Sequence, residues 1–67
     1  MTEYRYFAVK IAKDKNGNEI EDPSFQPVEY FSLTDCALTA KEAGNSRLLA
    51  ENPDTNISDY CISVSIK

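Results

Sequence analysis

Hydrophobic and polar residues alternate along three stretches of the chain and recur at helical spacing along a fourth. From Tyr4 to Ala12, Phe7, Val9 and Ile11 fall on one side while Tyr4, Tyr6, Ala8 and Lys10 fall on the other, which predicts a strand. The run Asp14-Lys15-Asn16-Gly17-Asn18 supplies residues that tolerate positive φ, so the chain should reverse there. Glu19-Ile20-Glu21 extends the returning arm. Asp22-Pro23 and Gln26-Pro27 then interrupt it, because proline lacks a ladder donor and restricts the residue before it, and residues 21–27 are expected as an irregular excursion or edge bulge. Alternation resumes from Val28 to Thr34, with Phe31 and Leu33 opposed to Tyr30, Ser32 and Thr34.

The helix has two candidate starts. Ser32 with Asp35 fits a capping pair, but Thr39-Ala40-Lys41-Glu42 fits the capping box better, with Leu38 and Ala43 placed as a hydrophobic staple. The expected helix runs from Thr39 to Glu51 and stops at Asn52-Pro53, asparagine accepting the left-handed conformation and proline being unable to continue. Ala40, Ala43, Gly44 and Leu48 share one face, whose small side chains would let the helix lie close on a sheet. Residues 57–67 form the strongest strand pattern, with Tyr60, Ile62, Val64 and Ile66 opposed to Cys61, Ser63 and Ser65. The expected architecture is an α+β fold, ββαβ: a β-hairpin, one helix and a closing strand, in a three-stranded sheet of order 2-1-3 with the helix on one face. At 67 residues the chain is expected to be a single domain, 1–67, because so short a chain cannot support two cores.

One helix can cover only one sheet face, and that asymmetry is the main functional clue. Phe7, Val9, Ile11, Phe31, Leu33, Ile62, Val64 and Ile66 are expected beneath the helix. The opposite face would then show Tyr4, Tyr6, Tyr30, Ser32, Thr34, Cys61, Ser63 and Ser65, a flat amphipathic surface of the kind that serves binding. Tyr4, Tyr6, Tyr30 and Ser63 are therefore candidate partner-binding residues, joined by an acidic edge of Glu19, Glu21 and Asp22.

Charge and composition narrow the function classes. The net charge is −4, with residues 1–15 at +2 and residues 16–67 at −6, which disfavours general nucleic-acid binding and favours a basic partner. There is no histidine and no glycine-rich phosphate loop, and neither cysteines nor carboxylates cluster at metal-ligand spacing. No catalytic residue, cofactor or metal is expected, since a thiol nucleophile at Cys36 or Cys61 would lack an activating base. The segment at Asp14 fails as a calcium loop, with Glu19 where the turn glycine should stand and Phe25 where the bidentate acid should. The N-terminus lacks the basic and apolar regions of a secretion signal, and no apolar run reaches spanning length, so a cytoplasmic location without membrane association is expected, with reduced cysteines.

In size and layout, a hairpin, a helix and a closing strand in an acidic chain without targeting signals, the sequence resembles the small single-domain proteins with which bacteriophages and other mobile elements bind and block host machinery. The resemblance is architectural and covers the whole chain without assigning residue roles. It implies an inhibitor or modulator that occupies the surface of a host or cellular protein. A nucleotide or single-stranded nucleic-acid binder would instead stack bases on Tyr4, Tyr6 and Tyr30 beside Arg5, Lys10 and Lys13. A small subunit of a larger assembly is the third reading. Self-association as a homodimer, through the open tyrosine face or an exposed edge strand, is also expected.

Overall fold

The computed structural model describes residues 1–67. Strand β1 spans Thr2–Lys13, β2 Glu19–Glu21, β3 Val28–Thr34 and β4 Tyr60–Ile66; helix α1 spans Ala37–Glu51, and a 3-10 turn over Ile57–Asp59 leads into β4. The long first strand is central. β3 and β4 pair antiparallel with Thr2–Lys10, in registers that set Tyr6 opposite both Tyr30 and Val64, and β2 pairs with Ile11–Lys13 at its far end. With the three long strands counted in chain order, the sheet has the expected order 2-1-3, and short β2 adds a fourth strand. β3 and β4 therefore run parallel to each other with β1 between them, joined across one face by α1.

Local chemistry explains each boundary. The β1–β2 turn places Gly17 at φ 84°, and the Asp14 carboxylate accepts from the amides of Asn16 and Asn18 at 2.8 and 2.9 Å. At the end of β2 the Asp22 carboxylate accepts from both the amide and the hydroxyl of Ser24, and this turn begins the excursion. The excursion returns Phe25 to the core against Tyr60, ring centroids 5.5 Å apart. The helix starts two residues earlier than the sequence suggests. Its N-cap is Cys36, whose carbonyl accepts from Ala40, and the capping box at Thr39–Glu42 goes unused because both residues lie inside the helix. Leu38 is exposed and Ala43 does not form the expected staple. Asn52 ends the helix at φ −135°, outside the left-handed region, its amide and its side-chain NH₂ both donating to the Leu48 carbonyl.

The faces of β1 and β3 are the reverse of the expectation. Tyr6, Ala8, Tyr30 and Tyr60 form the buried cluster with Leu48, while Phe31 and Leu33 are exposed on the other side. The reason lies in α1. Its inner seam is Ala40, Gly44 and Leu48, all buried, and Gly44 brings the helix backbone down onto the Tyr6 ring. Flat aromatic rings fill the thin space beneath so close a helix. Tyr6 and Tyr30 stack with centroids 5.8 Å apart, the Tyr6 hydroxyl donates to Asn45 Oδ1 at 2.6 Å, and the Tyr60 hydroxyl donates to Thr55 Oγ1 at 3.1 Å. Burial of Tyr6 and Tyr60 thus carries little polar cost, whereas the Tyr30 hydroxyl is buried without a hydrogen-bond partner.

On β4 the expected faces hold: Ile62 and Val64 pack against the cluster and Ser63 is exposed. Ile62→Ala and Val64→Ala should each lower stability by about 1–3 kcal/mol, towards the low end of core truncations because both side chains are only partly buried, whereas Ser63→Ala should change it by less than about 0.5 kcal/mol. Urea unfolding midpoints compare them, and equal losses at Ile62 and Ser63 would reverse the assignment of β4.

Candidate functional site

The face of the sheet away from α1 is uncovered. Its central row comes from β1, with Glu3, Arg5, Phe7, Val9 and Ile11; β3 adds Glu29, Phe31 and Leu33, and β4 adds Cys61, Ser63 and Ser65. The registers set Phe31, Arg5 and Ser65 in one cross-strand row and Glu29, Phe7 and Ser63 in the next. An apolar band therefore crosses the sheet diagonally. Leu33 is 66% and Phe31 46% exposed, while Phe7, Val9 and Ile11 are half-buried by their neighbours.

Charges border this band in pairs. Arg5 is ion-paired with Glu29 and lies over the Phe7 ring, 4.5 Å from its centroid. Lys67 reaches Glu3 at 3.2 Å and stands 4.9 Å from the Phe31 centroid. Two acids balance two bases. These two pairs are thus neutral together, and exposed pairs of this kind contribute little to stability, at most about 1 kcal/mol each.

The candidate partner-binding residues divide between the two faces. Ser63 lies on the open face, opposite Phe7, and Glu21 and Glu19 share that face, opposite Ile11 and Lys13 on the protruding β1–β2 arm. Tyr6 and Tyr30 lie beneath the helix and cannot meet a partner; Tyr4 is half-buried on the same side. Asp22 is committed to the Ser24 turn, and that hydrogen bond, reinforced by the Ser24 amide, lowers its carboxyl below the ordinary carboxylate range. Phe7, Phe31 and Leu33 take the place the tyrosines were expected to hold. The sequence signal for this was the small seam of α1 with Asn45 beside it, since a close helix with an amide acceptor suits a buried tyrosine better than an exposed one.

The remaining chemistry is sparse. No group of three or more histidine, cysteine or acidic side chains is placed to hold a metal ion. A surface depression of about 480 Å³ is lined by residues 21–27 alone, with one hydrophobic residue, and is the inside of the excursion's bend. Cys36 and Cys61 are both exposed and free. The Thr39 hydroxyl at 3.2 Å, aided by the Thr39 amide, holds the Cys36 thiol below its ordinary pKa.

The buried tyrosines make the fold sensitive to alkali. Burial, with smaller effects from neighbouring tyrosines, raises the Tyr6 phenol; burial and then the Glu51 carboxylate raise that of Tyr30, against an opposing effect from Arg47. A phenol raised in the folded state contributes stability that is fully present below its unfolded pKa of about 10 and lost as pH rises through the folded value. The urea midpoint should therefore hold up to about pH 9 and fall above about pH 10, with phenolate absorbance growing as far-UV circular dichroism is lost. Complete tyrosine ionisation with the fold intact would contradict the burial of Tyr6 and Tyr30.

No helix is long and apolar enough to cross a membrane. No protein-family model, no curated protein and no solved structure matches the chain.

Proposed function

We propose that this protein is a small acidic interaction module that acts by laying its open sheet face on another protein, in the manner of an inhibitor or modulator that carries out no turnover of its own. The observation that carries this reading is the uncovered band of Phe31, Leu33 and Phe7. Large apolar side chains grouped on one face and rimmed by charge mark contact surfaces on small proteins. The rest of the surface is acidic, so a partner with a basic rim around an apolar patch would be steered toward it. Stacking of nucleic-acid bases on Tyr6 and Tyr30 is not open to this fold, because those rings are beneath α1.

The test is quantitative affinity purification from the native cell with three baits: wild type, Phe31→Glu with Leu33→Glu, and Lys41→Glu on the outer surface of α1 as a charge control. The partner should be retained by wild type and by the helix variant and lost, by at least about tenfold, with the sheet variant. Equal retention by all three baits would place the binding surface elsewhere. Binding of labelled single-stranded DNA or RNA at low salt, measured by fluorescence anisotropy, would replace the protein partner with a nucleic acid.

A further inference from the structure

The seven residues of β4 pair with β1 on one side and with no strand on the other. Free edges are ordinarily guarded by charge, proline or a bulge; between Tyr60 and Ile66 this one has none of these. The Lys67 amide donates to the Glu3 carbonyl, so the odd-numbered residues of this strand turn their backbone groups toward β1. In an antiparallel ladder the groups alternate, so those of Ile62, Val64 and Ile66 and the carbonyl of Tyr60 point outward at the free edge, the Tyr60 amide being taken by the Ile57 carbonyl.

We infer that β4 pairs edge to edge with β4 of a second copy of this chain, antiparallel about a two-fold axis at Ser63, to make one continuous sheet. The strand is self-complementary in that register. Ile62 stands opposite Val64 of the second copy, and Tyr60 opposite Ile66; the Ile62–Val64 pairs exchange both backbone bonds, and at each end the Ile66 amide reaches the Tyr60 carbonyl. Between them Ser63 meets its own counterpart and Cys61 meets Ser65. No other allowed register pairs the whole strand, since a shift must be by two residues and leaves residues at each end unpartnered. The fold leaves room for the second copy. α1 packs more against β3 than against β4, so Ile62 and Val64 are only partly buried and Ile66 is 70% exposed on the helix side. A second strand beside them would cover that remaining surface. The pairing is independent of what the open face binds, and it would set two copies of that face side by side.

Sedimentation equilibrium of the full chain at micromolar concentrations tests this. Wild type should show a monomer–dimer equilibrium. Ser63→Glu and Ser63→Lys should each weaken it about fivefold or more, because each places like charges opposite each other on the axis, and an equimolar mixture of the two should restore association. Phe31→Glu, on the far side of the open face, should leave the dimer intact. Val64→Pro gives a second route, removing an outward donor and no bond to β1; it should remain folded by circular dichroism and be monomeric. A monomer mass for wild type throughout would overturn the inference. So would a dimer that survives in both Ser63 variants alone and is lost in Phe31→Glu, which would place the contact on the open face.

Discussion

Tyr6→Ala should cost about 3–5 kcal/mol and leave the protein largely unfolded at room temperature. Tyr6 is completely buried at the centre of the sheet, opposite Tyr30 on one side and Val64 on the other, with its hydroxyl on Asn45. Truncating so large a ring removes its transfer free energy and leaves a cavity the surrounding strands cannot close. Only seven of 67 residues are buried, and a chain of this length has a total stability of about 3–10 kcal/mol, so one core side chain can account for most of it. Tyr6→Phe separates the ring from the hydroxyl; it should lose only about 1–2 kcal/mol, the Asn45 hydrogen bond. Phe31→Ala, the same kind of truncation on the open face, should lose much less. If Tyr6→Ala and Phe31→Ala had equal urea midpoints, the faces would have been exchanged.

Gly44→Ala should destabilise the fold by about 2–3 kcal/mol, against the gain of up to about 1 kcal/mol that helix propensity alone would give. A Cβ at position 44 would fall within 2.6 Å of Cε2 of Tyr6 and closer still to Cγ and Cδ2. These atoms belong to the root and edge of a fully buried ring, which has no free rotamer to move into. Glycine is kept at position 44 for this approach, since its helical φ makes no demand for it. A double-mutant cycle isolates the cause. In a Tyr6→Leu background the added methyl should lose most of its penalty, giving a coupling of about 1–2 kcal/mol between the two sites. A Gly44→Ala variant as stable as wild type would mean that the helix rides higher over the sheet than the Tyr6 contact requires.

Both predictions rest on the one feature that sequence reasoning reversed. Period-two alternation identifies a strand and divides its residues between two faces, but it does not say which face meets the helix when both are amphipathic. In β1 the choice lay between Phe7, Val9 and Ile11 on one side and Tyr4, Tyr6 and Ala8 on the other, and hydropathy favours the first. Of the candidate contact residues, Ser63, Glu19 and Glu21 were legible as outward-facing because each lies on a strand with one clearly polar side or on the exposed arm. Tyr6 was not, because its burial depends on an acceptor distant in sequence, Asn45, 39 residues away, and Tyr30 was not, because its place follows Tyr6 across the β1–β3 register.

Local chemistry by itself determined the elements. Asn16-Gly17 made the reversal, the prolines at 23 and 27 broke the returning strand, alternation made β3 and β4, and Asn52-Pro53 ended the helix, because each of these depends on conformations available to a few adjacent residues. The order of the three long strands followed from connection lengths. Tertiary structure alone decided which side of the sheet is inside. That choice was made by the registers that align Tyr6 with Tyr30 and Val64, and by Gly44, whose close approach to the centre of the sheet fits the flat Tyr6 ring with its hydroxyl on Asn45. The open face follows from that choice, since the phenylalanines and Leu33 are exposed where the tyrosines took the space beneath the helix.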